Sequence, residues 1–138
     1  GFEFGTVTGR QRRCGWFDSV LVKQAVKLSN INGIALTKMD VLDGFQDIKI
    51  CVGYKLGLET INYLPTSNKQ QKSIVPIYEV MKGWNGSIVG IRDFKKLPKE
   101  SKAYVKRIEE LVDCKVILIS TSPERSDTIY LKNPFDKD

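Results

Sequence analysis

The sequence predicts an α/β fold, a mixed sheet with flanking helices, in a single domain over residues 1–138. Three observations carry that prediction. The apolar runs Ile-Ala-Leu-Thr at 34–37 and Lys-Val-Ile-Leu-Ile at 115–119 are bounded by turn residues and have the length of buried strands. Each follows a stretch whose apolar residues recur at helical spacing. Strands that alternate with helices in this way belong to α/β architectures. With 41% apolar and 28% charged residues, the chain has the composition of an ordinary globular domain with room for a core.

Taken in order, residues 1–13 are rich in Gly, Thr and Arg and read as a loop. Phe17, Leu21, Ala25 and Leu28 recur at helical spacing, with Asp18 or Ser19 placed to cap the start, and the Asn30-Ile31-Asn32-Gly33 stretch ends that helix. The strand at 34–37 runs into Lys38-Met39-Asp40. Ile48, Ile50 and Val52 alternate with Lys49 and Cys51, the pattern of a strand with one buried face, and Gly57 turns the chain back toward 60–63. Residues 64–73 are polar and read as an exposed loop, 74–80 as extended or irregular chain, and 83–86 as a turn. A second helix starts at Pro98, with Tyr104, Val105, Ile108, Leu111 and Val112 on one stripe and Lys and Glu, including Glu109 and Glu110, on a solvated face. The strand at 115–119 enters Ser120-Thr121-Ser122-Pro123, and a last strand covers 128–131.

Charge and cysteine usage narrow the function. The formal net charge of +6, from 22 Lys and Arg against 16 Asp and Glu, favours anionic partners. No apolar run has the length of a membrane span. Cys14, Cys51 and Cys114 are far apart and lack CxxC spacing, so they are expected as reduced thiols in a cytoplasmic protein. The chain has no histidine, which removes the commonest acid–base group near neutral pH. It opens at Gly1 on residues that already look like a working loop, and is therefore expected to be a piece of a longer protein.

Three constellations carry chemistry. Gly5-Thr6-Val7-Thr8-Gly9-Arg10-Gln11-Arg12-Arg13 joins permissive glycines to hydroxyls and guanidinium forks that match carboxylate and phosphate oxygens. Thr37-Lys38-Met39-Asp40, at the carboxyl end of a strand, suits guanine: the carboxylate accepts from the N1–H and N2 amino group, and the lysine stem covers the ring. Taken alone, a Lys and an Asp in a turn are more often just solvated. Ser120-Thr121-Ser122, after another buried strand, could bring backbone N–H groups to the base's O6. Trp84 reads as a packed turn residue, and Asp40, Asp43 and Asp47 lack the glycine and terminal glutamate of a calcium loop.

These segments resemble the adenylosuccinate synthetase family: 5–16 (GTVTGRQRRCGW), 36–44 (LTKMDVLDG) and 119–125 (ISTSPER), with supporting matches at 48–52, 76–79, 83–84, 104–110 and 133–135. The resemblance covers nearly the whole chain in order. It implies the C-terminal part of that family's P-loop-NTPase-like fold and a ligase of purine biosynthesis that joins IMP and L-aspartate using GTP and Mg²⁺. It further implies that Thr6, Val7, Thr8, Gly9, Arg10, Gln11 and Arg12 form a loop closing on aspartate and IMP, with Arg12 also reaching GTP. Lys38, Met39, Asp40, Ser120, Thr121, Ser122 and Pro123 are then the guanine pocket. The family's phosphate-gripping loop, catalytic aspartate and catalytic histidine have no counterpart here, so no catalytic residue and no Mg²⁺ ligand is expected in this chain, and the chain alone is expected to be inactive. The full enzyme is expected to be a homodimer. Two positions depart from the family pattern: Ser122 stands where Gly is usual, and Val7 where Thr is usual. The alternative reading is a small basic nucleic-acid-binding module driven by Arg10, Arg12 and Arg13. It is disfavoured because aromatic residues are not interleaved with the basic ones.

Overall fold

The computed structural model describes residues 2–5 and 15–131. Two mixed sheets, rather than one, form the frame. The first joins β1 (Phe2–Gly5), β3 (Gly33–Thr37), β7 (Lys115–Ser120) and β8 (Thr128–Tyr130) in the order β1-β3-β7-β8, with β8 alone antiparallel to its neighbour. The second centres on β4 (Asp47–Leu56), which pairs with β2 (Phe17–Asp18) in parallel and with β5 (Glu59–Ile61) and β6 (Val75–Lys82) antiparallel. Helix α1 (Ser19–Ser29) packs on both β4 and α3 (Lys99–Val112).

Within the expected loop at 1–13, residues 2–5 form a strand, and 6–13 lie outside the described residues. Residues 2–5 pair with 34–37 in parallel register, a partnership across some thirty residues that local composition could not signal. Likewise, 68–73 within the expected 64–73 loop form the short helix α2 (Asn68–Ser73), capped by Ser67, whose hydroxyl accepts from the Gln70 N–H. The stretch at 74–80 is strand β6, because its N–H and C=O groups pair along β4 from Lys55 to Asp47.

Helix α1 starts where expected but turns a different face inward. Asp18 is its N-cap, accepting from Val20 and Leu21 N–H through one oxygen and from the Tyr54 hydroxyl, 2.6 Å away, through the other. Ser19, Val20, Val22 and Val26 are buried, whereas Leu21 is 43% and Leu28 80% exposed. The Leu21/Leu28 stripe fits helical spacing equally well, so periodicity did not separate the two faces. The Ser19 hydroxyl, donating to the Cys51 carbonyl at 2.7 Å, helps set the helix's rotation over β4. Asn30 ends the helix in left-handed conformation.

Helix α3 behaves more as expected: Tyr104, Val105, Ile108 and Val112 are buried. Glu110 lies outside, paired with Arg107, but Glu109 is not simply solvated. Its carboxylate accepts from the Val116 N–H at 2.8 Å and ties the helix to the start of β7. The core gathers Phe17, Ile34, Leu36, Met39, Leu42, Trp84, Tyr104 and Ile119 from both sheets and α3. Each large apolar side chain so buried contributes roughly 1.5–3 kcal/mol.

Candidate functional site

Parallel strands send their carboxyl ends to one rim, and the registers show which residues share it. Gly5 stands beside Thr37 on β1 and β3, and Leu36 beside Ile119 on β3 and β7. The carboxyl ends of β1, β3 and β7 therefore share one edge of the sheet, the position where ligands collect in open α/β sheets. The three constellations singled out in the sequence follow these strands along the chain. Residues Thr6, Val7, Thr8, Gly9, Arg10, Gln11 and Arg12 lie outside the described residues.

Lys38 begins the turn in left-handed conformation, φ 59° and ψ 37°, unusual for a residue with a Cβ and costing roughly 1–2 kcal/mol. A bond across the rim offsets that cost: the Lys38 N–H donates to the Ser120 hydroxyl at 2.8 Å. Met39 then plugs into the core, fully buried, and anchors the one-turn 3₁₀ helix at Met39–Leu42. Asp43 closes the turn from behind. Its carboxylate accepts from Trp84 Nε1 at 2.7 Å and from the Ile88 N–H, while the Trp84 carbonyl accepts from the Gly44 N–H. Trp84 is thus the packed turn residue the sequence suggested.

Between the Lys38 turn and the loop after β7 lies an open cleft of about 680 Å³, with Thr37, Lys38, Ser120, Ser122, Pro123 and Arg125 in its walls. The structure therefore brings Lys38, Ser120, Ser122 and Pro123 together. Met39 and Thr121 are fully buried, and the Thr121 N–H is already donated to the Asp127 carbonyl. Asp40 is half-buried and is not among the residues lining the cleft. One of its oxygens, Oδ1, is shut off from solvent and has no hydrogen-bond partner among the described residues. A buried acceptor without a donor is uncommon and costs free energy, so this oxygen is chemically suited to a donor brought by another molecule.

The loop after β7 is held by a residue that sequence reasoning missed. The Asp127 carbonyl accepts from both the N–H and the hydroxyl of Thr121, and its carboxylate accepts from the Ser122 hydroxyl and from Arg92. The Thr121 hydroxyl also reaches the Ile91 carbonyl at 3.0 Å. A Ser-rich turn closed by an Asp just before a strand is a local signal that could have been noticed. Arg92, from a distant segment, carried none. Ser122 is not in left-handed conformation, so a Cβ there is unstrained, and its hydroxyl is occupied within the loop.

Among the described residues, no group of three or more His, Cys, Asp or Glu is arranged to hold a metal ion, and no helix is long and apolar enough to cross a membrane. Two comparisons bear on the rim. The adenylosuccinate synthetase family model matches residues 1–129. The chain belongs to the adenylosuccinate synthetase family. A solved structure of fully ligated adenylosuccinate synthetase from Plasmodium falciparum superposes with a TM-score of 0.82 at 32% sequence identity. That alignment covers 91% of this chain and 30% of the Plasmodium chain, so the protein spans about a third of that synthetase's length. The α/β architecture and the ligase family thus agree with the expectation from the sequence.

Proposed function

We propose that this chain forms the guanine- and aspartate-binding part of an adenylosuccinate synthetase, which joins IMP and L-aspartate to give adenylosuccinate, with GTP converted to GDP and phosphate. What supports the reading is the shared rim: the carboxyl ends of β1, β3 and β7 lie at one edge of the sheet, and the 6–12, 38–40 and 120–123 segments follow them in the sequence. In this reading Lys38 covers one face of the guanine, and Ser120, Ser122 and Pro123 form the opposite wall. Asp40 accepts from the N1–H and N2 amino group through a turn movement that opens its unpartnered oxygen to the base. Hydrogen bonds to a charged group contribute roughly 1.5–3 kcal/mol each, so two of them disfavour adenine, which lacks that donor pattern, by a large factor. Thr6, Thr8 and Arg10 hold the aspartate carboxylates, Arg10 also approaches IMP, and Arg12 reaches GTP.

In this reading Mg²⁺ and the proton-transfer groups are supplied by polypeptide beyond this chain. Alone, the chain is inactive; the complete enzyme is a homodimer of the cytoplasm, with no nucleic-acid partner. The test is reconstitution: this chain, mixed with or fused to the remaining two-thirds of the family's length, is assayed for IMP- and aspartate-dependent consumption of GTP. The reading expects GTP to far outperform ATP and Asp40→Asn to erode that preference. Equal use of both nucleotides by the unaltered protein would overturn it.

A further inference from the structure

Ser122 stands in the wall of the cleft, yet its hydroxyl is wholly engaged away from it. It donates to Asp127 Oδ2 at 2.8 Å and accepts from the Glu124 N–H at 3.0 Å. What Ser122 offers a ligand is therefore its backbone, and that backbone's position is set from behind. Asp127 is where those constraints meet. Its other carboxylate oxygen takes Arg92 Nε and Nη2, each at 3.2 Å. Its carbonyl holds Thr121 through N–H and hydroxyl, at 3.0 and 3.2 Å, and its own N–H donates to the Glu124 carbonyl at 3.0 Å. The Asp127 side chain is 17% exposed and Arg92 62% exposed, so the link to Arg92 is the looser one and the link to Ser122 the firmer.

We infer that Asp127 is a positioning residue for the nucleotide cleft, acting through the Ser122 hydroxyl to hold the 120–123 backbone at the distance a guanine edge requires. This rests on the guanine reading above. Asp127 touches no ligand in this scheme. It occupies the serine hydroxyl and so leaves the Ser122 backbone as the group to be positioned, the Thr121 N–H being already given to the Asp127 carbonyl and Pro123 having none. Truncation to alanine leaves every backbone bond of Asp127 in place, so the loop keeps its fold but loses the anchor for Ser122.

The experiment titrates GDP, with ADP as control, into the 138-residue chain fused to the remaining two-thirds of the family's length, ¹⁵N-labelled in the 138-residue part, and follows the amides of Lys38, Ser120, Thr121 and Ser122. Asp127→Ala is expected to weaken GDP about tenfold, equivalent to about 1.4 kcal/mol. Asp127→Asn, whose remaining carbonyl oxygen can still accept from the Ser122 hydroxyl at the expense of the looser Arg92 link, is expected to recover most of the affinity. Ser122→Ala is expected to reproduce most of the loss, with the double variant no weaker than the worse single one, because the two act as one unit. Thermal melts of the same variants supply the contrast: a purely structural role lowers the melting temperature and leaves GDP affinity where it was. If GDP binds the unaltered fused protein and Asp127→Ala or Ser122→Ala binds it equally well, the positioning role is overturned while the guanine reading stands. If the unaltered fused protein shows no GDP-specific shifts, the guanine reading fails and takes its positioning residue with it.

Discussion

Replacing Asp43 with alanine probes the support on which the candidate pocket stands. The carboxylate receives two donors, Trp84 Nε1 at 2.7 Å and the Ile88 N–H at 3.0 and 3.2 Å, in a place where Trp84 is 2% and Ile88 0% exposed. Water cannot readily replace the lost oxygen at either donor. Each buried donor left unpaired costs about 1–3 kcal/mol, and because the two share one acceptor their costs do not simply add. Removing the charge also returns some desolvation energy, but Asp43 is only half-buried, so that return is the smaller effect. The expected loss is about 3 kcal/mol, which in a domain of this size lowers the melting temperature by roughly 10 °C. Asp43→Asn keeps one acceptor oxygen and is expected to lose about half as much. Urea unfolding followed by tryptophan fluorescence and by circular dichroism measures both variants. A stability of Asp43→Ala within about 0.5 kcal/mol of the parent, the range of an ordinary surface change, would refute the claim that this carboxylate braces the 39–42 turn.

Two further outcomes follow from the same coordinates. Gly83→Ala places a Cβ 1.8 Å from the Phe45 carbonyl oxygen, a backbone atom that cannot swing aside, so a loss at or above the usual 1–3 kcal/mol of overpacking is expected in the same unfolding assay. The Cys51 thiol, pushed up to about 11 by burial and then by the neighbouring Asp18 carboxylate, is expected to resist a thiol reagent at pH 8 in the folded Cys14→Ser/Cys114→Ser protein and to react quickly in denaturant. Fast labelling without denaturant would show that the interface of α1 with β4 opens far more readily than its packing implies.

Much of the candidate site was readable in the sequence because its ingredients are local. Lys38, Asp40, Ser120 and Ser122 each follow a short apolar run, and a strand's carboxyl end can be located from the run alone. The helices at 19–29 and 99–112 and the strands β3, β4 and β7 were legible for the same reason. Local pattern failed where two solutions had equal periodicity. Leu21 and Leu28 fit a helical stripe as well as Val22 and Val26 do, and only the packing of α1 on β4 and α3 selected the valines.

What the sequence determined unaided was the fold class, the family resemblance and the segments that carry chemistry, since these depend on residue type and spacing along the chain. The tertiary structure alone decided which segments meet. Pairing of 2–5 with 34–37, the Lys38 bond to Ser120, and the convergence of Arg92, Thr121 and Ser122 on Asp127 join residues up to 82 positions apart. Such partners leave no periodic trace, because hydrogen-bond complementarity between distant segments is satisfied in space and not along the chain. The Asp40 carboxylate shows the division well: its identity was plain from the sequence, whereas the enclosure of its unpartnered oxygen arises only once the 39–42 turn is packed.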